Sequence, residues 1–194
     1  MSGTTRSSRP SESQLVFDFE AAKLAQALAF LATSVRDLSK LKAAKLLYFA
    51  DKQHLLQHGR PIIGNRYHCL DCGPVPAVSL NIINDLISPV RIRIAGKEFK
   101  SPMLDALTAS ERDVLSDVVK TYGKLTAGKL VTLTHCEYPW RRSNANRAQG
   151  SSVEIPWEYF FEEAGETAEA VREHAVEHQE NRTFLSALKA EARR

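Results

Sequence analysis

Cysteine and histidine residues occur at two places in the chain where their spacing could bind a metal ion. His68, Cys69 and Cys72 form an H-C-x-x-C segment, and the pair His135-Cys136 follows much later. Thiolates and imidazoles, four at a time, are the ligands of structural zinc sites. A single C-x-x-C pair is weak evidence, and adjacent His135 and Cys136 would point in different directions on a helix. The sequence therefore predicts small packed cysteines, with neither a metal site nor another cofactor.

Asp51 and His54 could form an acid–base pair, because they lie three residues apart on a predicted helix. The alternative is structural pairing, since charged groups on an apolar helix need partners and Lys45 and Lys52 lie on the same helix. The chain contains no GxxxxGK[ST], GxGxxG, HExxH or GxSxG motif. We favour the structural interpretation and expect neither enzymatic activity nor catalytic residues.

A basic and aromatic patch is formed by Trp140 with Arg141, Arg142 and Arg147, which could contact phosphates and stack a base. Residues 153–180 contain nine Glu and one Arg, so this segment carries a charge of −8 and the remainder carries +11. Such a basic body could bind nucleic acid, or it could fold against the acidic segment. A nucleic-acid-binding regulator is therefore one alternative, although a charged rim around a packed tryptophan is the interpretation that we favour.

The overall composition is that of a soluble globular protein. The 194 residues are 43% hydrophobic and 25% charged, which is enough for one sizeable core. No apolar run approaches the roughly 18 residues that cross a bilayer, and the first residues lack the apolar stretch of a secretory signal. Three cysteines fit reduced thiols better than a disulfide framework. We expect a cytoplasmic protein with no membrane contact, and a disordered tail at residues 1–14.

Apolar periodicity predicts a mainly α-helical fold. A first helix begins near Phe19 and places Leu24, Leu28, Leu31 and Val35 on one face. Ser39 can cap a second helix that runs to His58 and stops at Gly59. Residues 46–50 of this helix read Leu-Leu-Tyr-Phe-Ala and surround its axis, so the helix should be buried on most sides.

The remaining elements are predicted from turn and cap residues. One or two short strands or an ordered loop are expected between Pro61 and Gly73. Pro74 and Pro76 suit the entrance of a third helix. That helix would continue through Val78, Ile82, Ile83 and Leu86 and end at Pro89, and a brief strand or hairpin would follow at residues 91–96.

Further helices are expected in the second half of the chain. A capping box at Thr108–Glu111 starts a fourth helix that Gly123 ends, and Ala127–His135 forms a fifth. Residues 143–152 read as a loop. An acidic helix with a sparse apolar face should begin near Gly165, be interrupted at Asn181, and dock either on the basic body or on a partner; its apolar positions are Ala168, Val171 and Ala175.

Several short motifs occur in an order that resembles the Panacea domain, the family of SocA-like antitoxins and phage-associated GepA-type proteins. The resemblance covers about residues 19–161. It is carried by Lys45–Asp51 with His54-Leu55, then Gly59, Gly73–Pro76, Leu107–Glu111, Tyr122-Gly123, Ala127, Leu133–His135 and Pro139-Trp140.

This resemblance implies a Panacea-like helical domain at residues 15–163 with a minor β-hairpin, followed by an acidic helical extension at residues 164–194. It implies an antitoxin that binds a cognate toxin protein directly and that could deliver it, as a proteolytic adaptor, to a ClpXP-type protease. The matching positions are the candidate family-motif or partner-binding residues: Tyr48, Asp51, His54, Gly73, Pro74, Val75, Pro76, Thr134, His135 and Trp140.

Overall fold

The computed structural model describes residues 14–77, 79, 83, 104–145 and 147–191. It is mainly α-helical with a small antiparallel sheet, as predicted. The predicted tail lies almost entirely outside the described residues. So do most of the predicted third helix, including Val78, Ile82, Leu86 and Pro89, and the predicted strand at residues 91–96.

The helices and strands follow one another along the chain with short connections, and a 3-10 turn at Gly165–Ala168 joins the last two helices. The helices are α1 (Ala21–Ser34), α2 (Lys40–His58), α3 (Ala109–Tyr122), α4 (Ala127–Cys136), α5 (Tyr138–Ala145), α6 (Glu158–Ala164) and α7 (Glu169–Glu191). The strands are β1 (Tyr67–Leu70), β2 (Gly73–Pro76) and β3 (Val153–Glu154).

Helix α2 lies at the centre of the molecule and packs against α1, α3, α4, α6, α7 and β2. It begins where the Ser39 hydroxyl accepts a hydrogen bond from the Lys42 amide (3.2 Å), and it ends at Gly59, whose φ is +71°. Residues 42–51 are all buried. The predicted cap, stop and burial on most sides are confirmed, because a helix that is apolar around its whole circumference must be covered from every direction.

The sheet has the order β2-β1-β3, with both pairs antiparallel. Its strands confirm the expectation of short strands before Gly73. The prediction for Pro74 and Pro76 is wrong, since both lie in β2 rather than in the first turn of a helix. Strand β2 is at the edge of the described sheet, where a residue without an amide hydrogen leaves fewer ladder bonds unmade. Beyond β2, Ser79 and Ile83 are helical and buried.

The second half of the chain both confirms and corrects the prediction. The capping box at Thr108 and Glu111 is formed, and α4 spans the predicted fifth helix. Helix α5 was not predicted, so residues 143–145 are helical rather than part of a loop. Helix α7 continues through Asn181 without the predicted interruption, because asparagine at an exposed helical position costs only a few tenths of a kcal/mol, roughly 0.7 at most.

Helix α7 docks its first half on the body. Ala168 and Ala175 are buried, and the backbone of Gly59 lies against Val171 and Ala175. The predicted sparse apolar face is therefore the face that contacts α2. Within the described parts of the chain, no helix is both long and apolar enough to cross a membrane.

Candidate functional site

Three segments that are distant in sequence meet at Gly73, the first residue of β2. Its φ of +87° favours glycine, and a Cβ atom there would lie 2.6 Å from Thr134 Oγ1 and 2.9 Å from Lys45 Nζ. Thr134 is in α4 and Lys45 is in α2. The missing side chain therefore allows the hairpin β1-β2 to lie directly against both helices.

Lys45 is fully buried below this hairpin. Its Nζ donates a hydrogen bond of 2.6 Å to the carbonyl of Pro74. Burial lowers the pKa of Lys45 to about 8, and the nearby thiols of Cys72 and Cys69 oppose this effect. The amine fixes the hairpin through a backbone carbonyl, which any residue at position 74 would supply. Lys45 belongs to the family motif, but sequence reasoning did not single it out as a site residue.

His135 and Trp140 cover the same cluster from the side of α4 and α5. Their rings stack with centroids 4.0 Å apart, and Trp140 Nε1 donates to the Leu70 carbonyl in β1 (3.2 Å). Burial, followed by the charge of Lys45, lowers the pKa of His135. Nε2 of His135 is buried and has no hydrogen-bond partner among the described residues. Thr134, next to it, is buried and donates to the carbonyl of Val131 (2.9 Å).

Val75 and Pro76 complete the hairpin and are also buried. They pair with His68 and Tyr67 of β1. The structure thus brings together seven of the predicted site residues, with Lys45 at their centre: Gly73, Pro74, Val75, Pro76, Thr134, His135 and Trp140. We call these eight residues the hairpin cluster. They are joined by contacts to one another and to backbone carbonyls, so the arrangement holds the sheet on the helices.

The other three predicted residues lie on α2 in separate surroundings. The Tyr48 ring packs in the core against Tyr67 (5.2 Å between centroids) and Phe160 (5.7 Å). Asp51 is fully buried and accepts hydrogen bonds from the Ile63 amide (2.8 Å) and from Tyr67 Oη (3.0 Å). Burial raises the pKa of Asp51 to about 7, although these hydrogen bonds oppose the rise.

His54 has its own partners and does not pair with Asp51. Its Nδ1 lies 2.7 Å from the carbonyl of Arg60, and its Nε2 lies 3.2 Å from Ser110 Oγ. Burial lowers the pKa of His54 to about 4. Both ring nitrogens and both oxygens of the Asp51 carboxylate are thus used to hold neighbouring segments in place. This geometry favours the structural interpretation of the two residues over an acid–base pair.

Lys52, which the sequence marked only as a charged residue on an apolar helix, links three parts of the chain. Its Nζ contacts Glu137, between α4 and α5, and Glu163 in α6 (2.5 Å). A shallow cavity of about 290 Å³ lies beside this group, with the stacked rings of Phe49 and Tyr122 in its wall. Because the glutamates are far from Lys52 in sequence, no local pattern could have predicted the group.

The basic patch is largely compensated within the molecule. Arg142 pairs with Glu162, and its guanidinium lies 4.2 Å from the centre of the Tyr159 ring. Arg147 pairs with Asp71 and donates to the Ser151 carbonyl (2.8 Å). These contacts leave little of the charge that a phosphate would need. They agree with a charged rim, and no observation favours a nucleic-acid interface.

The cysteine and histidine residues of the H-C-x-x-C segment do not converge. Cys69 is buried with its Sγ 3.8 Å from Asn144 Oδ1, whereas Cys72 and Cys136 are exposed. His68 contacts Ser152 Oγ (2.7 Å). In the part of the chain that the structure describes, no three or more His, Cys, Asp or Glu side chains are grouped to hold a metal ion.

Comparison with known proteins agrees with the motif order and with the position of the hairpin cluster. The family described as "Antitoxin SocA-like, Panacea domain" matches residues 44–141, about half of the chain. The matched range contains the whole hairpin cluster together with Tyr48, Asp51 and His54. No curated protein and no solved structure matches the chain significantly. The chain therefore belongs to the SocA-like antitoxin family and carries the Panacea domain of that family in residues 44–141.

Proposed function

We propose that this protein is the antitoxin of a toxin–antitoxin pair and neutralises its cognate toxin by direct protein–protein contact. The observation that carries the proposal is the match of residues 44–141 to the SocA-like antitoxin family. The proposal includes a cytoplasmic location and a role without catalysis.

The burial of the family-motif residues supports a scaffold role for them within this function. Gly73, Lys45 and Thr134 contact one another inside the molecule, and Asp51 and His54 hold backbone and side-chain groups of neighbouring segments. Residues that are occupied in this way stabilise the domain. In the proposed function, the toxin is therefore bound by exposed side chains that the scaffold positions.

Co-expression with the product of the adjacent reading frame tests the proposal. We expect that induction of this product alone arrests growth, that co-expression of the full chain restores growth, and that the two purified proteins form a stoichiometric complex. Failure to restore growth, or restored growth without a complex, would contradict neutralisation by contact. A salt-dependent shift of DNA by the chain alone would instead support the nucleic-acid-binding alternative.

The proteolytic-adaptor mechanism is a further step of the same proposal. An adaptor shortens the lifetime of the toxin only while a ClpXP-type protease is present, whereas simple blocking leaves the amount of toxin unchanged. Measurement of the toxin half-life with the antitoxin, in cells with and without the protease, separates the two mechanisms. A half-life that does not depend on the protease would restrict the proposal to blocking.

A further inference from the structure

The second half of α7 extends from the body with all of its side chains exposed. Every residue from 180 to 191 is exposed to solvent. Among them are three large apolar side chains, Phe184 (62% exposed), Leu185 (54%) and Leu188 (45%). Helices of this length gain little stability in water unless a face is packed. An exposed apolar surface on such a helix is typical of a binding site.

Contacts on one side of α7 determine which side faces outward. Gln179 accepts a hydrogen bond from the Val16 amide (2.6 Å) and donates one to the Gln14 carbonyl (3.0 Å). Arg182 pairs with Asp18. Phe184 is two residues beyond Arg182, and two residues turn a helix by about 200°. The face of Phe184 is therefore directed away from the segment that holds the helix.

The outward face has an apolar centre with acidic ends. Phe184 and Leu188 are four residues apart and lie on one line along the helix. The same line continues through Glu180 and Glu177 toward the body and through Glu191 at the other end, at spacings of three and four residues. All three glutamates are exposed. A partner that covers this face must bury two apolar side chains and must bring positive charge to the carboxylates beside them.

The geometry points to the outward face of α7 as the docking helix for the toxin, inserted into an apolar groove with lysine or arginine side chains along its rim. We call this surface, formed by Glu177, Glu180, Phe184, Leu188 and Glu191, the α7 face. An amphipathic helix that places anchors at spacings of three and four into a groove is a common mode of recognition. The face lies beyond the family domain at residues 44–141, so it would give this antitoxin a contact of its own. The inference rests on the proposed function.

Truncation of the two anchors tests the inference. The variant Phe184→Ala with Leu188→Ala removes the apolar centre, and the matched control Thr183→Ala with Ser186→Ala changes exposed residues on another side of the same helix. Binding of each purified chain to the purified product of the adjacent reading frame is measured by calorimetry. We expect the Kd of the anchor variant to rise about 100-fold or more, since buried anchors dominate interface energies. The control should bind like the unchanged chain.

Charge is tested separately from apolar contact. Increasing the sodium chloride concentration should weaken binding of the unchanged chain, because the carboxylates of the α7 face meet basic groups. Glu177→Lys with Glu180→Lys should slow association about tenfold or more and should remove most of the salt dependence. Binding that strengthens with salt, or that is insensitive to this substitution, would overturn the basic rim.

The outcomes distinguish the inference from the proposed function. If the unchanged chain restores growth and the anchor variant binds and protects equally well, the inference is overturned and the proposed function stands. If the unchanged chain neither binds nor protects, both are overturned. Thermal unfolding of both variants controls for loss of fold, which is not expected at exposed positions where alanine favours helix.

Other occupants of the α7 face would also overturn the inference. Light scattering of the chain alone would show a dimer that the anchor substitutions dissociate, if the occupant were a second copy. Sedimentation with vesicles of phosphatidylcholine and phosphatidylglycerol would show binding that the same substitutions abolish, if the occupant were a membrane surface. We expect neither result.

Discussion

The position of Gly73 has no space for a side chain. A Cβ atom would lie within 3 Å of Thr134 Oγ1 and of Lys45 Nζ, and the backbone is in the left-handed region. Gly73→Ala should therefore lower the free energy of unfolding by about 3 kcal/mol, of which roughly 1–2 comes from backbone strain and the rest from displacement of the two polar groups. Urea denaturation at pH 7 measures this change.

Two other glycines separate the contributions. Gly150 also has a positive φ but nothing near its Cβ position, so Gly150→Ala should cost only about 1 kcal/mol. Gly128 is in α4 with open space around it, and Gly128→Ala should be stabilising by up to about 1 kcal/mol. A loss at Gly73 no larger than that at Gly150 would show that the close contacts with Lys45 and Thr134 are unimportant.

Sequence comparison identified most members of the hairpin cluster but not their reason for being together. Gly73, Thr134 and His135 were selected because they match a family pattern, which says nothing about contact. Lys45 was the visible anomaly, a charge within the most apolar helix, but its partner is a backbone carbonyl 29 residues away. Backbone carbonyls have no sequence signature, so pairing of this kind cannot be predicted from residue types.

At the scale of single elements, helix α3 begins with a capping box that carries more than the local caps require. Thr108 and Glu111 bond reciprocally, and the buried carboxylate of Glu111 also pairs with Lys23 (2.8 Å) and with Arg60. Burial alone would raise the pKa of Glu111, but these hydrogen bonds lower it to about 2. This residue therefore joins the start of α3 to α1 and to the segment after α2.

Glu111→Gln should lower the free energy of unfolding by about 2–3 kcal/mol at pH 7, because the cations lose their buried counter-ion. The pKa of Glu111 is lower in the folded protein than in the unfolded chain. Its contribution is therefore complete above about pH 5 and is lost as the pH falls toward 2. The difference between the two proteins in urea denaturation should close over this range. A difference that stays constant from pH 5 to 2 would contradict the assignment, and Glu154→Gln, at an exposed position in β3, should show little effect at any pH.

Elements whose signals are local were predicted, and elements decided by packing were not. Ser39, Gly59 and Thr108 act on amides within a few residues of themselves, so the predicted helix ends are correct. Proline, in contrast, suits both a helix entrance and an edge strand, and only the pairing of Pro74 with Cys69 decides for the strand. Helix α5 escaped notice because its apolar contacts are made by few residues, among them Trp140.

At the scale of the whole molecule, the opposite charges found in the sequence are partly folded against each other. Glu162 and Glu163, from the acidic segment, pair with Arg142 and Lys52 of the basic body. The segment before α1 is also tied to α7, through the bond from Val16 to Gln179. The charge asymmetry is thus a property of the fold as well as of the surface, and composition alone could not distinguish the two.

Lys52 is the position at which this arrangement can be tested. It is only 17% exposed and neutralises Glu137 and Glu163, which are themselves 20% and 27% exposed. Lys52→Met keeps the aliphatic stem but leaves two adjacent carboxylates without their cation, so the free energy of unfolding at pH 7 should fall by about 2–4 kcal/mol. The control is Lys120→Met, which removes the exposed pair with Asp117 and should cost less than about 0.5 kcal/mol. Lowering the pH below about 5 should reduce the loss at Lys52, since burial raises the pKa of Glu137 and its protonation relieves the repulsion. Equal losses for the two variants in urea denaturation would show that the link among α2, α6 and the α4–α5 junction contributes no more than a surface ion pair.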